Sequence, residues 1–114
     1  MNKKGVINGI EYEIGSGNVY ADLGYPDAEE MSVKSELTHI IQKEIEKRSI
    51  TQAEAAKIMG IDQSDVSRLL KGRLRAFSIE RLFLFLNRLG YTVELKVVQE
   101  RNRRRQAHTY VNAT

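Results

Sequence analysis

Residues 51–75 read TQAEAAKIMGIDQSDVSRLLKGRLR, and this stretch decides the fold because it holds two helix patterns joined by a turn. Thr51 and Glu54 make a T-x-x-E capping box, in which the hydroxyl accepts the Glu54 backbone N–H and the carboxylate accepts that of Thr51. A helix is therefore expected to start at Gln52. Ile50 before the cap and Ala55 at the fourth helical position can close a hydrophobic staple. Gly60 should end this helix, since glycine adopts the positive φ of a sharp exit, and Ile61 can fall back onto the core. Asp62 restarts the chain as an N-cap. In the second helix Val66, Leu69 and Leu70 share one side, the spacing of a buried stripe, and Gly72 stops it. The opposite side carries Ser64, Ser67, Arg68 and Lys71, with Gln63 at its flank.

That opposite side is polar, short-armed and basic. Gln and Arg can make paired hydrogen bonds to base edges, Ser allows close approach, and Lys and Arg reach phosphates. The stretch reads as a helix-turn-helix in which Gln63, Ser64, Ser67 and Arg68 read bases while Lys71, Arg73 and Arg75 hold phosphates. An ordinary helical hairpin would explain the caps, the glycines and the apolar stripe, but not the Gln, Ser and Arg set against it. The runs T-Q-A-E-A-A and G-I-D-Q-S-x-V-S-R-L-L-K-G further resemble the phage repressor and Cro type of helix-turn-helix, the XRE family. The resemblance implies a mainly α, lambda repressor-like domain. It also implies that the Gln opening the first helix, here Gln52, contacts phosphate, and that the residues opening the second, here Gln63 and Ser64 with Arg68 one turn later, read bases.

Outward from this centre, Ser78 caps a further helix that places Ile79, Leu82, Phe83, Leu86 and Leu89 in the core until Gly90 ends it, and Phe83 and Phe85 read as packing. Residues 91–97, YTVELKV, alternate strictly, with Tyr91, Val93, Leu95 and Val97 on one face, so a C-terminal β-strand is expected. A lone strand cannot satisfy its own backbone. Its partner would be the N-terminal arm or the same strand of a second subunit across a two-fold axis. On the other side, Asp27 with Glu30 starts a helix that should run to about Arg48 and bury Val33, Leu37, Ile40, Ile41 and Ile45. Its outer face holds Lys34, Glu36, Lys43, Glu44, Glu46 and Lys47, a pattern that is usually just solvated.

Ile10, Glu11, Tyr12, Glu13 and Ile14 alternate apolar and acidic residues, as a half-buried strand does, and Asn8-Gly9 could form a tight turn before them. With only Val6 and Ile7 to supply a first strand, an extended arm that pairs elsewhere is equally open. Gly15-Ser16-Gly17-Asn18 reads as a flexible joint. Arg101, Arg103, Arg104 and Arg105 lie in a final stretch without apolar period, a basic tail. The expected organisation is an arm and joint over 1–18, a helix-turn-helix domain with its C-terminal strand over 19–98, and a tail over 99–114.

The 114 residues suffice for one such domain. There is no cysteine, which removes disulfides and zinc-thiolate sites. His39 and His108 lie far apart, and no spacing suggests a nucleophile with its base, so neither metal, cofactor nor catalytic site is expected. No run approaches the roughly 20 apolar residues of a membrane span and residues 1–14 lack a signal-peptide core, so a cytoplasmic, membrane-free protein is expected. Residues 1–50 hold 6 Lys or Arg against 9 Asp or Glu, a balance of −3, whereas residues 51–114 hold 12 against 6, a balance of +6. A basic half suits double-stranded DNA and an acidic half a different partner. RNA binding by the Arg-rich tail would lack aromatic platforms for bases.

The resemblance extends in order through G-S-G-N-V-Y-A-D-L-G-Y-P-D-A-E-E, then F-S-I-E-R-L-F and L-G-Y-T-V-E-L, and over residues 15–98 the chain is similar to short XRE-type antitoxins of the HigA kind. It implies a DNA-binding protein that represses its own operon and neutralises a messenger-cleaving toxin of the HigB/RelE type; a stand-alone Cro-like regulator is the other reading. Such a toxin binds phosphates and should be small and basic, so the acidic half would face it, with residues 10–14 (Ile10, Glu11, Tyr12, Glu13, Ile14) adding as an edge strand to its sheet. A homodimer would set two recognition helices about 34 Å apart on a palindromic operator, with Tyr91, Val93, Leu95 and Val97 as its seam.

Overall fold

The structure, a computed structural model, describes residues 27–102, 104 and 108–113, together with the backbone of 3–7 and 10–14. It divides into two compact units, one of residues 1–32 with 94–114 and one of residues 33–93. In the first, β1 (Lys3–Ile7) and β2 (Ile10–Ile14) pair antiparallel, with Ile7 opposite Ile10 and Lys3 opposite Ile14. The arm is thus a hairpin on itself, and its first strand draws on Lys3, Lys4 and Gly5 as well as Val6 and Ile7. The expected Asn8-Gly9 turn and the joint at 15–18 lie outside the described residues. In the same unit the Thr109 N–H donates to the Glu29 carboxylate and the His108 and Tyr110 rings lie 5.2 Å apart.

Helix α1 (Ala28–Arg48) follows Asp27, whose carbonyl accepts the Met31 N–H at 2.9 Å. Glu29 and Glu30 in its first turn and Lys47 and Arg48 in its last suit the helix dipole. It buries Val33, Leu37, Ile41 and Ile45 as its period predicts, with Ile40 half-buried. The expected solvated face needs correction at two positions, because Lys34 and Glu44 are buried. For Glu44 the reason is a set of partners: its carboxylate accepts Arg48 Nε and the Tyr91 hydroxyl, each at 2.7 Å. Arg48 also donates through Nη2 to the Leu89 carbonyl at 2.5 Å, fastening the end of α1 to the end of the last helix.

Helices α2 (Gln52–Met59) and α3 (Gln63–Leu70), a 3-10 turn (Leu74–Ala76) and α4 (Ile79–Arg88) complete the second unit. Helix α2 packs on both α3 and α4, and the 3-10 turn packs on α3. Ile41, Met59, Val66, Leu69, Phe77, Leu82, Phe85 and Leu89 are the fully buried side chains at the centre. Each contributes about 1.5 to 3 kcal/mol by leaving water. Phe77 and Phe85 meet edge-to-face, with centroids 5.8 Å apart. Leu82, Leu86 and Leu89 are buried as expected, whereas Phe85 joins them in the core and Ile79 and Phe83 are only half-buried.

The expected C-terminal strand is not formed: residues 91–100 carry no regular structure. The Tyr91 N–H closes the exit of α4 by donating to the Leu86 carbonyl at 2.9 Å, and its hydroxyl is held by Glu44. The first residue of the alternating run therefore belongs to the helix end. Beyond it, no strand among the described residues pairs with this run. Leu95, Val97 and Val98 remain 77%, 95% and 68% exposed.

Candidate nucleic-acid interface

The turn between α2 and α3 is set by local bonds. Thr51 Oγ1 accepts the Glu54 N–H at 3.1 Å and Glu54 Oε1 accepts that of Thr51 at 3.4 Å, so the capping box is complete. Gly60 takes φ 71° and ψ 35°, and the Ile61 N–H reaches back to the Ala56 carbonyl at 3.0 Å. A side chain here would also strike Arg88, whose Nη1 donates to the Met59 carbonyl at 2.5 Å and so closes the same helix end from α4. Asp62 occupies the N-cap position of α3 with extended backbone but makes no side-chain capping bond; its carbonyl accepts the Asp65 and Val66 N–H groups instead.

Helix α3 buries Val66 and Leu69, while Leu70 is half-buried. Gln63, Ser64 and Arg68 are exposed and Ser67 is half-buried, so the polar face expected of a recognition helix is presented. At its end the Gly72 N–H bonds the Leu69 carbonyl and the Arg73 N–H bonds that of Arg68, the two bonds of a Schellman exit. From α1, Gln42 Nε2 adds bonds of 3.4 Å to the Leu69 and Leu70 carbonyls. These partners fix where α3 points. Lys71, Arg73 and Arg75 follow, all exposed, with Leu74 buried between the two arginines as the anchor of that turn. Gln52 is exposed at the first position of α2. A cationic run after a polar helix face is what phosphate contacts on either side of a groove need.

A family of helix-turn-helix domains matches residues 19–98. The chain belongs to this helix-turn-helix family. A solved structure described as a candidate XRE-family transcriptional regulator is 37% identical to the chain and superposes with a TM-score of 0.74, covering 78% of this chain and 100% of that one. No curated protein matches. The chain is thus an XRE-type helix-turn-helix protein, a DNA-binding transcriptional regulator. Among the described residues no helix is long and apolar enough to cross a membrane, and no three His, Cys, Asp or Glu side chains cluster as metal ligands.

Several residues that shape this helix-turn-helix unit escape a reading of period and charge. Asp65 accepts Arg68 Nη1 at 2.7 Å, and Arg81 Nη2 lies 3.6 Å from its other oxygen. The i, i+3 spacing of Asp65 and Arg68 was a visible signal for the first contact. The second joins two helices and had none. Gln42, Arg48 and Arg88 likewise act on carbonyls 27 to 41 residues away in the chain. Hydrogen bonds from Arg48 and then Tyr91 hold the Glu44 carboxyl below its usual range, and the same bond to Glu44 raises the Tyr91 phenol.

Proposed function

We propose that this protein is a homodimeric repressor that reads a palindromic operator through α3 and serves as the antitoxin of a two-gene toxin pair. The observation that carries the DNA reading is the division of α3, with Gln63, Ser64 and Arg68 exposed opposite fully buried Val66 and Leu69. Gln63, Ser64, Ser67 and Arg68 read bases; Gln52, Lys71, Arg73 and Arg75 hold phosphates. The two groups fail differently. Arg68→Ala loses about 1 to 3 kcal/mol and relaxes preference at one base pair, whereas Arg73→Ala weakens all duplexes alike and lowers the salt slope by about one. Binding of both variants to randomised duplexes over a salt series tests this, and an operator preference untouched by Arg68→Ala overturns it.

The dimer contact falls on residues 91–97. Tyr91 is tied to its own Glu44, so Val93, Leu95 and Val97 carry the contact, and pairing with a second copy would satisfy backbone that one chain leaves open. The antitoxin role rests on the resemblance over residues 15–98, on the acidic first half, and on β2, which pairs on one side only among the described residues. A toxin strand added to β2 at Ile10, Glu11, Tyr12, Glu13 and Ile14 gives main-chain affinity, and opposite charge speeds the encounter. Deleting residues 1–14 then leaves operator binding intact and abolishes neutralisation of the product of the adjacent gene. A truncated chain that still neutralises it moves the inhibitory element to α1, and an adjacent gene without a ribonuclease-like product leaves a stand-alone regulator.

A further inference from the structure

Arg68 is held before any DNA arrives. Its Nη1 donates to Asp65 Oδ1 at 2.7 Å, while Asp65 Oδ2 lies 3.6 Å from Arg81 Nη2. The Arg81 guanidinium in turn stands 5.2 and 5.4 Å from the ring centres of Phe77 and Phe85, both buried, within cation–π range. An isolated exposed ion pair orders little. Here one carboxylate is shared by two guanidiniums, and one of these rests on the core. The Asp65 side chain is 23% exposed against 50% for Arg68, so the acid sits behind the cation.

We propose that Asp65 is a specificity-determining positioning residue, which orients the Arg68 fork toward a guanine in the operator and is itself fixed by Arg81 against Phe77 and Phe85. With one N–H of Arg68 engaged, the remaining donors of the planar fork can bridge the O6 and N7 acceptors of guanine. Presetting that plane removes rotamer freedom that binding would otherwise have to remove. The same carboxylate repels phosphate and acceptor-rich base edges, so it weakens binding to unrelated sequence. Asp65 therefore acts with opposite sign on specific and non-specific affinity. Its place in the first turn of α3 also suits the helix dipole, a role that would leave base preference unchanged.

The proposal rests on Arg68 reading a base, and the test separates the two. The full chain is bound to a library of randomised duplexes and the bound fraction sequenced, for the wild type, Asp65→Asn, Arg68→Ala and the double variant, with thermal melting to confirm folding and Asp65→Ala as a second variant. Asp65→Asn should lower the preference for guanine at one position about tenfold and raise affinity for an unrelated duplex about threefold. In the Arg68→Ala background it should alter no base preference. If Arg68→Ala shifts the preference and Asp65→Asn does not, or if Asp65→Asn weakens every sequence equally, the positioning role is overturned while base reading stands. If Arg68→Ala itself changes nothing, base reading fails and the positioning role fails with it.

Discussion

Between Thr51 and Gly72 the chain closes its own backbone: a capping box starts α2, the Ile61 N–H returns to Ala56, and two bonds at Gly72 and Arg73 close α3. After Gly90 the situation reverses. Residues 91–98 have the better alternation of apolar side chains, yet Leu95, Val97 and Val98 are exposed and the backbone adopts no regular pairing. The difference is one of where the hydrogen bonds can be found. A helix satisfies itself within a few residues, whereas a strand is completed only by another strand. An amphipathic pattern that meets no second strand among the described residues thus remains outside the core.

Removing a leucine from each region should separate the two most sharply. Leu69→Ala in fully buried α3 should cost about 2 to 5 kcal/mol in denaturant unfolding and lower operator binding in proportion to the unfolded fraction. Gly60→Ala comes next: a β-carbon at φ 71° costs about 1 to 2 kcal/mol, and it also displaces Arg88 from the Met59 carbonyl. A loss as small as that of a surface substitution would mean that the turn rearranges freely.

Tyr91 tests the boundary between the two regions. Glu44, lowered from 4.5 by Arg48 and then Tyr91, contributes stability that is present above that value and lost as pH falls through its folded value. Tyr91→Phe removes one of the two bonds, so acid unfolding should begin at a higher pH than in the wild type. The raised phenol has the opposite sense, favouring the fold below 10.0 and losing that contribution as pH rises through its folded value, and the variant should lose this alkaline limb. Unfolding midpoints followed over the acid and alkaline ranges check both signs; unchanged limbs would detach residue 91 from the helical unit. The smallest effect belongs to Leu95→Ala, which should alter the stability of the dilute chain by less than about 0.5 kcal/mol while reducing self-association in sedimentation. A cost near that of Leu69→Ala would show that residues 91–98 pack within one chain.

Caps, glycines and a period near 3.6 act over a few residues, so the helices and their ends, the buried stripes of α1 and α3, and the exposed set of Gln63, Ser64 and Arg68 were legible from residue order alone. It also held the hairpin pattern of the arm, though not the length of its first strand, since Lys3, Lys4 and Gly5 carry no alternation of their own. Tertiary packing set the rest: Glu44 is buried beneath Tyr91, Gln42 and Arg88 fasten α3 and the turn before it, and Asp65 reaches Arg81 on another helix. Each of these joins residues distant in the chain, and their partners are chosen by how the helices cross. Local period and charge contain no measure of that distance. The alternating run at 91–97 fails as an element for the same reason: its pattern is local, but the bonds that would realise it belong to a second strand.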